Sequence, residues 1–261
     1  MEFLLYLLLG AAAGVLAGLF GVGGGLIIVP VLVFSFSAQG FAPEILTHLA
    51  VGTSLATISF TSINSIREHH RRGAVQWDLF RWLTPGILAG AAIGGLTAAL
   101  IQGPILQKII GAFAIIIAIQ LALNLTPKGT QPTPKKPELI AAGSIIGWAS
   151  AIFGIGGGSI TVPFLVWRSI AMQKAVATSA ACGFPIALAG AIVFIITGWN
   201  DKLLPEWSLG FVYLPALLGI AITSVFFARF GAKLAHKLSP LLLKRLFALL
   251  LTAVGISFLL N

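Results

Sequence analysis

Gly21-Val22-Gly23-Gly24-Gly25-Leu26-Ile27-Ile28-Val29-Pro30 decides the reading of this chain, because Gly154-Ile155-Gly156-Gly157-Gly158-Ser159-Ile160-Thr161-Val162-Pro163 repeats it. Each copy follows a phenylalanine, Phe20 or Phe153, that closes a long apolar run. Each continues into a short apolar segment, Val31-Leu32-Val33 or Phe164-Leu165-Val166. Three consecutive glycines make a poor helix interior, since each costs about 1 kcal/mol relative to alanine. They mark a place where an apolar run breaks, turns and restarts.

The runs on either side set the class. The chain has 261 residues, of which 58% are hydrophobic and only 9% charged, with a mean hydropathy of +1.03. A soluble domain carries roughly 25% charged residues. Apolar runs near the ~20 residues that span a bilayer recur from end to end. A transmembrane β-barrel would need short alternating segments instead. The expectation is an all-α integral membrane protein. The opening Met1-Glu2-Phe3-Leu4-Leu5 lacks the basic start of a secretory signal and is also the first member of a repeat, so it is read as a membrane helix.

Taken in order, the long run Phe3 to Phe20 precedes the first glycines, and the short segment Leu26 to Phe36 follows them. That short segment would extend about 16 Å as a helix, too little to cross a ~30 Å hydrocarbon core alone. Helices are then expected over about 45–66, 77–100 and 104–125, with a basic loop from Arg67 to Gly73. The proline- and lysine-rich stretch Thr126 to Pro137 is the one linker-like segment. Beyond it come 138–153, 159–167, 173–197, 205–229 and 240–260. The reading is therefore two repeats of about five helical elements, each with one short or broken helix: residues 1–126, a cytoplasmic linker at 127–137, and residues 138–261. Further anchors align the halves: Ala50-Val51-Gly52-Thr53-Ser54 with Ala175-Val176-Ala177-Thr178-Ser179, Trp77 and Pro85 with Trp207 and Pro215, and Pro104 and Lys108 with Pro240 and Lys244.

In each half the long run and its short follower return to the side they began on, and three further helices cross. An odd net number of crossings inverts the second half relative to the first. The formal charge of +9 agrees with this. With Arg67, Arg71 and Arg72 in the cytoplasm, most other lysines and arginines also fall inside, leaving only Lys108 and Lys202 outside. The basic balance is thus a topology signal and not a nucleic-acid footprint, and both termini are expected outside the cell (inner or plasma) membrane.

At this point the sequence resembles the sulfite exporter TauE/SafE family of membrane permeases. The resembling residues are the two glycine-rich elements ending at Pro30 and Pro163, the Thr53-Ser54 and Thr178-Ser179 pairs, and the basic loop ending at Gly73 before Trp77. The resemblance covers essentially the whole chain. It implies a permease for sulfite, a sulfonate or a related sulfur-containing anion.

The residues themselves point to where such an anion would bind. In inverted-repeat transporters substrates sit near the midplane, where half-helix ends face one another. A helix N-terminus is a ready anion site. The expected contacts are Gly23, Gly24 and Gly25 with Gly156, Gly157 and Gly158. Hydroxyls of Thr53, Ser54, Thr57, Thr178 and Ser179 would line the path, with Cys182 at the position equivalent to Thr57. Pro30 and Pro163 would free the carbonyls of Leu26 and Ser159 and let each broken helix flex. The competing readings are that the glycines only permit close helix packing, and that the hydroxyls only bond the carbonyl one turn back.

The single cysteine, Cys182, excludes an internal disulfide and a cysteine-built zinc site. His48, His69, His70 and His236 form no ligand pair. The glycines do not fit a dinucleotide fingerprint, and no phosphate loop is present. No cofactor, metal or enzymatic activity is expected; the partners are a small anion and the lipid bilayer. Export of an anion needs no buried ion relay, because an interior-negative potential drives it outward. Uptake of a sulfonate or other small anion, and a membrane-embedded sulfur-relay enzyme using Cys182, are the alternatives.

Overall fold

The computed structural model describes residues 2–20, 24–123, 134–235 and 240–260. The elements run α1 (Glu2–Phe20), α2 (Gly25–Ala38), α3 (Pro43–Arg71), α4 (Trp77–Leu100), α5 (Gly103–Ala122), α6 (Lys136–Phe153), α7 (Gly158–Trp167), α8 (Met172–Gly198), α9 (Leu214–Ala235) and α10 (Pro240–Leu260). A two-stranded hairpin, β1 (Ser208–Leu209) and β2 (Val212–Tyr213), precedes α9. Among the described residues, five helices are long and apolar enough to cross a membrane: α3, α4, α5, α8 and α10. The protein is an all-α membrane protein. Its outward faces carry bare apolar side chains such as Leu100, Ile145, Ile196 and Leu249, as surfaces facing lipid do.

The element order long, short, long, long, long occurs twice, and the most extensive contacts run between the two sets. Helix α1 packs along α9, α4 along α6, α3 along α8 and α5 along α10. Exchanging the sets returns the same pairings. Glycines make the closest of them possible. Gly86, Gly90 and Gly94 of α4 lie against the Ile140, Ser144 and Trp148 carbonyls of α6, and Gly143 and Gly147 of α6 lie against the Leu83 and Ile87 carbonyls of α4. Without a hydrophobic drive between helices in lipid, such backbone proximity supplies the dispersion contact. Close packing is thus the role of these glycines.

Three boundaries differ from expectation. Helix α3 continues through the expected basic loop to Arg71, supported by an Arg72–Glu68 ion pair at 2.7 Å. The linker at 127–137 lies partly outside the described residues, and α6 already starts at Lys136 with Pro137 in its first turn. The segment 205–213 is not the start of a helix: the hairpin occupies it, and α9 begins at Leu214. Pro85 therefore stands inside α4 while Pro215 stands at the head of α9. The shared tryptophan–proline spacing does not mark equivalent places.

Candidate functional site

The two breaks meet. Gly24 and Gly157 cap α2 and α7 with φ of 79° and 77°, a left-handed backbone that glycine adopts without strain. Gly25 lies directly on the other break: a methyl group there would stand 2.7 Å from both the Gly154 carbonyl oxygen and the Ile155 Cα. Gly156 in turn packs on Gly183 of α8, where a methyl group would stand 3.0 Å from the Gly156 carbonyl oxygen. Gly23 lies outside the described residues. The break before α2 thus rests on the break before α7 inside the protein. The first amides of each, on Gly25 and Leu26 and on Gly158 and Ser159, precede the first intrahelical donors, Ile27 and Ile160.

Neighbouring helices hold this junction. Ser54 of α3 donates to the Gly154 carbonyl at 2.9 Å. Phe153 stacks on Phe113 of α5, with ring centres 3.8 Å apart. Pro30 and Pro163 lie inside α2 and α7.

Most of the hydroxyls expected to meet substrate are committed to structural bonds. Thr53 Oγ1 accepts from the Tyr213 amide at 2.9 Å, and Thr178 Oγ1 accepts from the Gln76 amide at 3.0 Å. These two bonds mirror each other: a threonine of each half clasps the residue heading a helix of the other, α9 or α4. Thr57 donates back to the Thr53 carbonyl at 2.8 Å, and Thr178 to that of Lys174 at 2.7 Å. Ser179 differs: it is buried and its hydroxyl has no partner. Cys182 is fully buried in an apolar cluster with Leu83, Ile87, Leu165 and Ile186.

The side chains that sequence reasoning passed over are Ser150, Ser159 and Thr161. Ser150 and Thr161 are completely buried, and the hydroxyls of all three lack hydrogen-bond partners. A methyl group on Gly157 would stand 3.1 Å from Thr161 Oγ1 and 3.6 Å from Ser150 Oγ, so both hydroxyls face the cap of α7. Ser159 lies in the first turn of the same helix. A buried hydroxyl without a partner costs about 1–3 kcal/mol. Three such groups beside one helix start are a set of donors awaiting an acceptor. Comparing the two copies residue by residue would have revealed them, because Leu26 and Ile28 stand where Ser159 and Thr161 stand in the second.

The family model for the sulfite exporter TauE/SafE family matches residues 6–258. A probable membrane transporter protein of Haemophilus influenzae is 42% identical, the match covering 99% of this chain and 98% of that one. A second, from Methanocaldococcus jannaschii, is 32% identical over 99% of this chain and 97% of its own. A third, from Xylella fastidiosa, is 26% identical over 95% and 91%. No solved structure matches the chain. Two broken helices meeting within a bundle of membrane-length helices, and a family match over nearly its whole length, give one conclusion: the chain is a membrane transporter belonging to the sulfite exporter TauE/SafE family.

Proposed function

We propose that this transporter exports sulfite, or a closely related small sulfur-containing anion, by alternating access of two inverted repeats. The observation that carries the reading is the contact between Gly25 and Gly154–Ile155, which brings the two glycine-rich breaks, each leading into a short helix, to one place. Each N-terminus acts as about half a positive charge. The exchange pattern of helix pairings and the mirrored Thr53 and Thr178 clasps support the two repeats, 1–126 and 138–261.

The distribution of charge supports the orientation, with both termini outside the cell membrane. Arg81 and Lys136 both lie over the Trp82 ring, 5.3 and 4.8 Å from its centre, and Arg168 pairs with Glu138, gathering the basic starts of α4 and α6 and the end of α7 at one side. That side is the cytoplasmic one by the positive-inside rule.

The driving force is the membrane potential, worth about 2.3 kcal/mol per charge per 100 mV for an anion leaving a negative interior. Among the described residues, no carboxylate lies in the middle of a helix to carry a proton instead. The experiment is sulfite efflux from liposomes holding the purified protein at imposed potentials. Efflux rises as the interior is made more negative; efflux indifferent to potential contradicts electrogenic export. Net uptake against the potential would favour the sulfonate-uptake alternative.

A further inference from the structure

We infer that the anion is bound by the second break alone, through Ser150, Ser159 and Thr161, and that the species bound carries a single negative charge on a three-oxygen head. This rests on the reading of the paired breaks as the anion site and states which half holds the anion and which charge state is taken.

The first part follows from the difference between the copies. At the second break, three buried hydroxyls without partners surround the cap of α7, and the amides of Gly158 and Ser159 precede its first intrahelical bonds. At the first break, Leu26 and Ile28 are buried hydrocarbon, and Ala17 stands where Ser150 stands relative to the closing phenylalanine. The first break therefore contributes the dipole of α2 but no side-chain donor. Its Gly25 instead packs on the backbone of Gly154 and Ile155, closing that side of the junction. Three hydroxyl donors beside two amides match a pyramidal group of three oxygens, the head shared by hydrogen sulfite and alkyl sulfonates.

The second part is a matter of charge. The start of α7 supplies about half a positive charge, the end of α6 at Gly154 about half a negative one, and the start of α2 at most about another positive half. Among the described residues, no side-chain cation adds to it. The charged residues of the surrounding elements, Glu44, Arg67, Glu68 and Arg71 of α3, Asp78 and Arg81 of α4, Lys108 of α5, Lys136 and Glu138 of α6, and Lys174 of α8, all sit within the first or last two turns of their helices. Arg168, at the far end of α7, is about 15 Å from Gly158 at ~1.5 Å per residue and is paired with Glu138. A monoanion thus leaves the smaller unmatched charge. A dianion would leave one further unmatched charge in a buried site, a penalty that outweighs what extra hydrogen bonds return.

The test is counterflow of labelled sulfite in liposomes holding the full chain, with methanesulfonate (always a monoanion) or sulfate (a dianion) as competitor at equal ionic strength. Methanesulfonate competes at least about tenfold more strongly than sulfate. Ser150→Ala and Thr161→Val each weaken that competition by about tenfold, the loss expected for one hydrogen bond to a charged group, and Thr161→Ser restores it. Because Thr161→Ser keeps the hydroxyl and differs in volume, its rescue separates binding from packing. Sulfate competing as well as methanesulfonate overturns the charge assignment while leaving sulfite transport standing. Undiminished competition in the Ser150→Ala/Thr161→Val double variant overturns the location. Absence of any sulfite counterflow overturns the transport reading itself, and this inference with it.

Discussion

At Gly157 two demands coincide: a left-handed backbone, and a neighbour, Ile186, so near that a methyl group would stand 2.5 Å from its Cδ1. Gly40 has the same backbone, φ 78°, but nothing within 4 Å of its missing side chain. Gly40→Ala should therefore cost only the backbone strain, about 1–2 kcal/mol. Gly157→Ala should cost more than that and also abolish sulfite flux, as thermal midpoints in detergent and efflux assays would show. Cys182 has a different fate. It lies in apolar packing with Leu83, Ile87, Leu165 and Ile186, so Cys182→Ala should leave flux at the wild-type level; loss of flux in a folded variant would revive a thiol-based role. The glycines at the breaks were legible because no ordinary helix tolerates three in a row. Ser159 and Thr161 were present in the same quoted stretch, but a search for what the copies share draws attention away from where they differ. Thr53, Ser54, Thr57 and Thr178 show the opposite limit. Hydroxyl spacing on one helix face cannot reveal that a Tyr213 or Gln76 amide, distant in sequence, already occupies the oxygen.

Between elements, the same clasps become load paths. Removing the hydroxyl in Thr53→Val leaves the buried Tyr213 amide without its acceptor, at about 1–3 kcal/mol. The structure predicts a lowered thermal midpoint for Thr53→Val and for Thr178→Val, with Thr53→Ser close to wild type. The seam between α4 and α6 is tighter still. Gly90→Leu would drive a side chain into the Ser144 carbonyl and should prevent accumulation of folded protein, read by size-exclusion chromatography in detergent. Helix identity and extent were largely legible, since apolar length in a bilayer leaves few options. The hairpin at Ser208–Tyr213 was not. Its Phe211 amide bonds the Phe194 carbonyl and its Phe211 carbonyl packs on Gly52, so tertiary contact to α8 and α3, not local propensity, holds it in place. Pro205 and Pro215 alone suggested a helix beginning too early.

For the whole molecule, the proposal of inverted halves makes a labelling prediction. With Cys182 replaced by Ala, a cysteine at Gly73 should react with impermeant reagents only from the cytoplasm, and one at Asp201 only from outside; reaction of both from the same side contradicts the inversion. Element order and membrane class came from composition and repetition, and the repeat itself led to the expectation that the breaks face one another, whereas the particular contact by which they meet required the structure, because nothing local in 21–30 specifies that Gly25 rests on Gly154. That meeting is the centre of the account. Crystals soaked in selenite, whose selenium scatters anomalously, test it most directly. The account predicts a selenium peak at the start of α7, within hydrogen-bonding reach of the Ser159 amide and the Ser150 and Thr161 hydroxyls; a peak only elsewhere, such as in the lipid-facing groove lined by Gly90, Ile93 and Trp148, would contradict it.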